Sequence, residues 1–93
     1  MKISFSWDDN KNKINHDKHG ISFEEARSVF LDQNAIEYFD TGHSEVEDRY
    51  LMLGLSYNTR MLLVSYTVRK DSKSIIIRII SARKATKKEQ TNY

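Results

Sequence analysis

Residues 50–81 decide the fold, and they read YLMLGLSYNTRMLLVSYTVRKDSKSIIIRIIS. The stretch holds three runs rich in apolar and β-branched residues, namely Tyr50–Ser56, Met61–Arg69 and Ser74–Ser81. Such runs, bounded by polar turn residues, are typical of β-strands. Short polar connections, Tyr57–Arg60 and Lys70–Lys73, separate them, and connections of this length join antiparallel neighbours. We therefore predict a meander of three antiparallel strands.

Two further strands are expected in the first half of the chain. The apolar residues Ile3, Phe5 and Trp7 alternate with polar residues between Lys2 and Asp8, which is the period of a strand with one buried face. Ala35–Asp40 contains three β-forming side chains, and the polar stretch after it includes Gly42. We predict a second strand there, followed by a surface loop over Thr41–Asp48.

Helix signals lie between these strands. Lys11–His19 is polar and ends at Gly20, where a left-handed backbone conformation favours glycine; Asp8, Asp9 or Asn10 can cap its start. A second helix is predicted over Phe23–Leu31, since Ser22 and Glu25 have the spacing of a capping box, and it is expected to bury Phe23, Ala26 and Phe30. The Thr86–Glu89 box predicts a final helical turn or two.

This order of elements predicts an α+β fold. Its antiparallel sheet has four to five strands, with the two helices of the N-terminal half packed on one face and a short C-terminal helix. The other sheet face is then partly free for a substrate or partner. A length of 93 residues fits one domain, residues 1–93.

Composition excludes several classes of protein. The chain contains no cysteine, so a disulfide framework and thiolate chemistry are excluded. No stretch has the apolar length of a signal peptide or a membrane span, so we expect a cytoplasmic protein without a membrane partner. There is also no glycine-rich phosphate loop, because the glycines stand alone at positions 20, 42 and 54.

Charge is unevenly distributed along the chain. Residues 1–48 contain 5 Lys or Arg against 11 Asp or Glu, whereas residues 49–93 contain 10 against 2. The halves therefore carry net charges of −6 and +8. A basic half of this kind offers a positive surface to nucleic acid or to an acidic protein segment.

One cation interrupts the most apolar strand. Arg78 shares its predicted face with Ile76 and Ile80, whereas the neighbouring odd-numbered isoleucines take the other face. Burying an unpaired charge is prohibitive, so Arg78 is expected to need a partner.

Several phrases of this chain, in their order and spacing, resemble the BrnT family of type II toxins. They are Phe5-Ser6-Trp7-Asp8, Lys18-His19-Gly20, Phe23-Glu24-Glu25-Ala26, Glu47-Asp48-Arg49-Tyr50 and Arg78-Ile79-Ile80-Ser81-Ala82-Arg83. The resemblance implies a RelE-like fold and a ribonuclease that cleaves RNA and so inhibits translation. It also implies neutralisation by a BrnA-like antitoxin with a ribbon-helix-helix part, through which alone the complex contacts DNA.

Metal-independent RNA cleavage needs a base for the 2′-hydroxyl proton, cations for the charged phosphorane and an acid for the leaving 5′-oxygen. Lys18 and His19 are candidates for proton transfer, and Glu47 is a further candidate base. The phosphate candidates are arginines, because a planar guanidinium holds two phosphate oxygens at once. These are Arg49, Arg60, Arg78 and Arg83.

RNA binding outside the reacting centre is assigned to an aromatic ring and three lysines. Trp7 is a candidate for base stacking, and the lysines are Lys84, Lys87 and Lys88. Structural alternatives remain open for several of these residues. Lys18 and His19 suit a helix C-terminus, Glu47 and Arg49 can form a surface pair, and Trp7 suits the core.

No cofactor or metal site is expected. His16 and His19 are three residues apart, but the sequence lacks a third ligand at ordinary zinc spacing. The alternative function is a non-catalytic module that binds RNA or an antitoxin with a degenerate active site. Convergence of Arg60, Arg78, Arg83 and the Lys18–His19 pair on one open patch would favour the enzyme.

Overall fold

The computed structural model describes residues 2–93, and five strands and three α-helices form its framework. In chain order these elements are β1 (Lys2–Ser6), α1 (Asp9–His19), α2 (Phe23–Ser28), β2 (Ile36–Phe39), β3 (Tyr50–Leu55), β4 (Met61–Lys70), β5 (Ser74–Lys84) and α3 (Lys87–Gln90). Short 3₁₀ turns occupy Val29–Leu31 and Thr41–His43. The predicted α+β class is confirmed.

The strands form one mixed sheet in the order β1-β5-β4-β3-β2. β3, β4 and β5 pair antiparallel, as the short connections predicted, and β2 is antiparallel to β3 across a longer loop. β1 instead lies parallel to β5, with Phe5 opposite Ile77. The alternation of apolar and polar residues predicted that β1 is a strand. It could not predict that β1 pairs with β5, because the two strands are far apart in the sequence.

A β-bulge divides β5. Ser81 pairs with Ser65, but Ile79 already pairs with the next residue of β4, Tyr66, so Ile80 is the extra residue. A bulge shifts the side-chain alternation by one position. As a result, Arg78 and Arg83 share one face, although strict alternation over five positions would separate them.

The hydrophobic core lies between the sheet and the segment that contains α2. The sheet contributes aliphatic side chains and Tyr66, and the helical segment contributes Phe23 with smaller apolar residues. The fully buried members are Ile21, Phe23, Ala26, Val29, Leu62, Val64, Tyr66, Ile79 and Ala82. The ring of Phe30 packs edge-on against Phe5 and Tyr66, with centroid distances of 5.2 and 4.9 Å.

α1 is positioned by polar contacts, since Asn15 is its only buried residue. The Asn15 amide donates to the backbone oxygens of Ile21 and Ala82, both at 2.8 Å, and its oxygen accepts from the Ala82 N–H at 3.1 Å. β1 pairs with β5 only as far as Arg78. Beyond Arg78, the Asn15 side chain therefore forms the hydrogen bonds to the β5 backbone that a neighbouring strand would form. As a result, α1 lies along this edge of β5, whereas α2 covers the sheet face.

The helix ends follow the predicted capping residues with one correction. Asp8 caps α1, and Gly20 ends it with a φ of 72°. Ser22 caps α2 by accepting from the Glu25 N–H, but the predicted capping box is incomplete. The Glu25 carboxylate turns inward to the Ser56 hydroxyl and Arg60 instead. α2 also gives way to a 3₁₀ turn after Ser28.

The short α3 has the complete box that Thr86 and Glu89 predicted. Among residues 2–93, no helix combines the length and apolar character needed to cross a lipid bilayer.

Candidate active site

The sheet face opposite the core, called the open face below, is rich in hydroxyls and arginines. β1, β3, β4 and β5 contain no aspartate or glutamate. The strand pairing places the following polar side chains on this face: Ser4, Ser6, Ser65, Thr67, Arg69, Arg78, Ser81 and Arg83. A surface of this composition attracts anions and supplies donors for phosphate oxygens.

A depression of about 300 Å³ on the open face, called the groove below, brings together side chains from four separate segments. It contains two arginines, two histidines and one carboxylate above a floor of serine and apolar residues. Its lining is His19, Asp40, His43, Arg49, Leu51, Leu63, Ser65, Ser81, Ala82 and Arg83. Three of the predicted site residues, His19, Arg49 and Arg83, therefore line one solvent-open groove.

His19 reaches the groove because of how α1 is anchored. It is the last residue of α1, one turn beyond Asn15, whose amide holds the helix against the edge of β5. The left-handed turn at Gly20 then takes the chain away towards α2. Ala82, the residue that Asn15 binds, lies beside Arg83, so His19 and Arg83 come to the same groove.

Arg49 is positioned by the loop before β3. Its backbone N–H donates to the Ser44 hydroxyl at 3.0 Å, and its carbonyl accepts from the Asp40 N–H at 2.8 Å. These bonds close the loop between β2 and β3 at its base. The Arg49 side chain lines the groove and, within residues 2–93, forms no ion pair.

His43 and Asp40 form a pair at the rim of the groove. The His43 Nδ1 lies 3.0 Å from Asp40 Oδ2, and the side chain of His43 is 70% exposed. With the proton on Nδ1, the carboxylate orients the ring, and Nε2 is left to accept or deliver a proton. This pair was not predicted from the sequence. Its signal was an aspartate at the end of the predicted strand, three residues before a histidine in the predicted loop.

Arg83 is held by the C-terminal helix. Its Nη1 and Nη2 donate to the two carboxylate oxygens of Glu89, each at 2.8 Å. Hydrogen bonds from Arg83, opposed in part by burial, lower the pKa of Glu89 to about 2. Glu89 therefore stays ionised, and it orients the guanidinium while 42% of the Arg83 side chain remains exposed.

Arg78 lies in a second depression of the open face, which we call the arginine pocket. Its volume is about 310 Å³, and its lining is Ser6, Glu47, Thr67, Arg69, Ile76 and Arg78. Glu47, a predicted base, thus lies at this pocket and outside the groove. Within residues 2–93, Arg78 forms no ion pair or side-chain hydrogen bond, so the open surface is what its charge faces.

Arg60 has a structural position away from the groove. It forms an ion pair with Glu25, whose side chain is only 3% exposed, through two guanidinium hydrogen bonds. It also donates to the Gly20 carbonyl at 3.1 Å. Arg60, Arg78 and Arg83 therefore do not converge on one patch, which was the arrangement that would favour the enzyme. Arg60 pairs with the buried carboxylate of Glu25 on α2, and Arg78 lies in the arginine pocket, outside the groove that Arg83 lines.

The remaining predicted residues lie outside the groove as well. Trp7 is half-buried and packs edge-on against Phe23 with ring centroids 6.1 Å apart, which is the structural alternative for this residue. Lys18 is exposed on α1 next to His19. The three predicted RNA-binding lysines are exposed at the end of β5 and on α3, near Arg83, and they are Lys84, Lys87 and Lys88.

No group of three His, Asp or Glu side chains in the described part of the chain has the arrangement needed to hold a metal ion. The groove offers guanidinium, imidazole and hydroxyl groups around one carboxylate. Groups of these kinds bind a phosphate and move protons.

Comparison with known proteins identifies one family. The sequence model described as "Ribonuclease toxin, BrnT, of type II toxin-antitoxin system" matches residues 7–89. The fold is similar to the 1.1 Å crystal structure of the Brucella abortus ribonuclease toxin BrnT, with a TM-score of 0.67 and 20% sequence identity. That match covers 92% of this chain and 100% of the Brucella chain. No curated protein matches this sequence.

Proposed function

This chain belongs to the BrnT family of type II ribonuclease toxins, and from that membership we propose that its groove is the active site of a metal-independent endoribonuclease. The observation that carries the proposal is the meeting of His19, His43, Arg49 and Arg83 in one open groove. These side chains come from three segments, namely α1, the loop between β2 and β3, and β5. Neither core packing nor a helix cap requires the two arginines to face the same depression.

The proposed reaction is attack of an RNA 2′-oxygen on the adjacent phosphorus. The P–O bond to the 5′-oxygen breaks, leaving a cyclic phosphate on one product and a 5′-hydroxyl on the other. One imidazole takes the proton of the attacking hydroxyl, and a second acid delivers a proton to the leaving oxygen. His19 and His43 are the groups at the groove suited to these two roles.

Arg49 and Arg83 supply electrostatic stabilisation. Negative charge builds up on the nonbridging oxygens in the transition state, and preorganised guanidinium donors stabilise it. Glu89 holds Arg83 in place before substrate binds, so little reorientation is needed when the charge develops. The exposed Lys84, Lys87 and Lys88 lie at the same end of β5 and would attract the RNA backbone.

Cleavage of translated RNA would inhibit protein synthesis, so we place the reaction in the cytoplasm. As a type II toxin the protein has an antitoxin partner, and we propose a BrnA-like protein with a ribbon-helix-helix part that covers the open face. DNA would then be contacted only through the antitoxin.

The test compares RNA cleavage and growth inhibition by the wild-type chain with R49A, R83A and the R78A/R83A double variant. Removing either groove arginine is expected to lower kcat/KM at least a hundredfold, as for other preorganised donors to a developing oxyanion. A matched control removes two exposed lysines of α1, Lys11 and Lys13, which lie outside the groove. Equal activity of the folded R49A and R83A proteins would disprove the assignment.

The same assay is run with EDTA. We expect activity to survive the chelator, because the groove offers guanidinium, imidazole and hydroxyl groups around a single carboxylate. Such a result would support metal independence. Loss of activity with EDTA and recovery with a divalent cation would refute metal independence.

A second candidate is a binding module that holds RNA without cutting it. The observation in its favour is the Arg83–Glu89 pair, because a guanidinium occupied by a carboxylate has fewer donors for phosphate. RNA that is bound but never cleaved by the wild-type chain would favour this candidate.

A further inference from the structure

The arginine pocket adjoins the groove on the same sheet face and has its own chemistry. Arg78 pairs with Thr67 across the strands, and Arg69 pairs with Ile76, so the two arginines are diagonal neighbours on β4 and β5. Diagonal positions on one face lie about 7 to 8 Å apart, within reach of long side chains. Both guanidinium groups can therefore reach one bound anion.

Neither arginine is satisfied by the protein itself. Within residues 2–93, Arg69 and Arg78 form no ion pair and no side-chain hydrogen bond, although both belong to strands. Glu47 is the one acidic residue at this pocket, and it belongs to the exposed loop before β3. Two guanidinium charges against one carboxylate leave the pocket positive.

Hydroxyl groups complete the pocket. Ser6 and Thr67 line it beside the arginines. Serine and threonine hydroxyls, together with arginine, are common donors to nucleic-acid phosphates. The combination suits a phosphodiester more closely than an isolated carboxylate, since four side chains can share its two free oxygens.

The distance between the pocket and the groove indicates which phosphate it would hold. Arg78 lies opposite Thr67 and Arg83 opposite Leu63, four positions apart on β4. At about 3.3 Å per strand residue, this separation is roughly 13 Å along the sheet. A phosphate at the pocket would thus belong to a different nucleotide from the one that is cleaved in the groove.

We propose that Arg69 and Arg78, with Ser6 and Thr67, form a phosphate subsite that binds single-stranded RNA beside the scissile nucleotides. The RNA backbone runs along β5, from the groove at Arg83 to the arginine pocket. This inference rests on the proposed ribonuclease function. It adds a specificity determinant, because it makes cleavage depend on the length of the RNA.

The experiment measures kcat/KM for a dinucleotide and for a hexanucleotide with the same cleavable step. The wild-type chain is expected to gain about tenfold on the longer RNA, the size of one charge-assisted contact. R69A is expected to lose most of this gain. The control is K70A, which removes the adjacent charge on β4, where Lys70 lines a depression on the opposite sheet face.

Binding of the hexanucleotide is measured in parallel over a range of salt concentrations. Loss of one phosphate contact should reduce the slope of log K against log salt by about 0.7 for single-stranded RNA. That reduction is expected for R69A and for R69Q, which keeps most of the length of the side chain, but not for K70A.

The outcomes separate this inference from the proposed function. If the wild-type chain cleaves neither RNA, the proposed function fails. If it cleaves both but R69A and R69Q keep the full length gain and the full salt slope, the subsite is refuted. Weaker antitoxin binding by R69A with unchanged RNA behaviour would also refute it and assign this pocket to the protein partner.

Discussion

Arg60, Arg78 and Arg83 are the same residue type in three different environments. Arg60 neutralises the buried Glu25, Arg83 is oriented by Glu89, and Arg78 faces the open surface. Burial opposes ionisation of Glu25 most strongly, but hydrogen bonds from Arg60, Ser56 and Asn58 together outweigh it and lower the pKa of Glu25. The role of an arginine here depends on whether a carboxylate reaches it.

Removal of Arg60 is predicted to destabilise the fold. R60A leaves the Glu25 carboxylate buried without its cation, and breaking such a pair costs about 3 to 5 kcal/mol. Urea unfolding at neutral pH measures the free energy of unfolding. The control K13A, at an exposed position of α1, should stay within about 0.5 kcal/mol of wild type. A loss below 1 kcal/mol for R60A would show that the pair is not structural.

At the scale of elements, two polar attachments set the shape of the groove. Asn15 fixes α1 to β5 and so places His19, and Glu89 fixes α3 to Arg83. The two attached helices, α1 and α3, carry few apolar side chains. A short polar helix gains little from burial, so its position depends on particular hydrogen bonds.

N15A is predicted to lower the free energy of unfolding by about 2 to 4 kcal/mol, since the change leaves backbone groups of Ile21 and Ala82 without partners. It should also loosen His19 and reduce cleavage. Denaturant unfolding and hydrogen exchange of the α1 amides provide the measurements. N10A, at an exposed position of the same helix, serves as the control. Unchanged exchange in α1 would contradict the proposed attachment.

The Arg83–Glu89 pair gives a pH-dependent contribution to stability. The pKa of Glu89 falls from 4.5 to about 2 on folding, mainly because Arg83 donates to its carboxylate. A lowered pKa stabilises the fold above the unfolded value, and this contribution is lost as pH falls from 4.5 towards 2. Solvent screening at the exposed part of Arg83 limits the effect to about 1 kcal/mol.

The variant E89Q tests this prediction. Glutamine also serves at this position of a capping box, so the substitution removes the charge and keeps the cap. Its free energy of unfolding should lie about 1 kcal/mol below wild type at pH 7, and the difference should vanish near pH 2. E45Q in the exposed loop before β3 is the control at both pH values. A difference that does not change with pH would exclude the ion pair as its cause.

Charge asymmetry acts at the scale of the whole molecule. The acidic N-terminal half, with net charge −6, includes α1 and α2, whereas the basic half, with +8, supplies β3 to β5 and α3. Every arginine of the open face belongs to the basic half. An acidic antitoxin segment or an RNA would be steered towards this face.

Steering predicts that the association rate of the antitoxin falls as salt rises. The Debye length shortens from about 30 Å at 0.01 M salt to about 8 Å at physiological ionic strength, so the rate should drop about tenfold or more. Stopped-flow measurements with K87A/K88A should show a weaker salt dependence. K11A/K13A, in the acidic half, should match wild type. A rate independent of salt would rule out steering.

The sequence alone determined the class of the fold, the place of nearly every strand and helix, and the family. These properties depend on local information: two-residue alternation in strands, capping residues such as Asp8 and Ser22, and short connections that allow only antiparallel pairing. It also singled out His19, Arg49 and Arg83, which line the groove.

Only the tertiary structure decided how these elements combine into a site. The parallel pairing of β1, the bulge at Ile80 that brings Arg78 and Arg83 to one face, and the attachment of α1 through Asn15 all join segments far apart in the chain. The pairing of Arg60 with Glu25 is of the same kind. Long-range partners follow from how the whole chain packs, and no local period or cap encodes them.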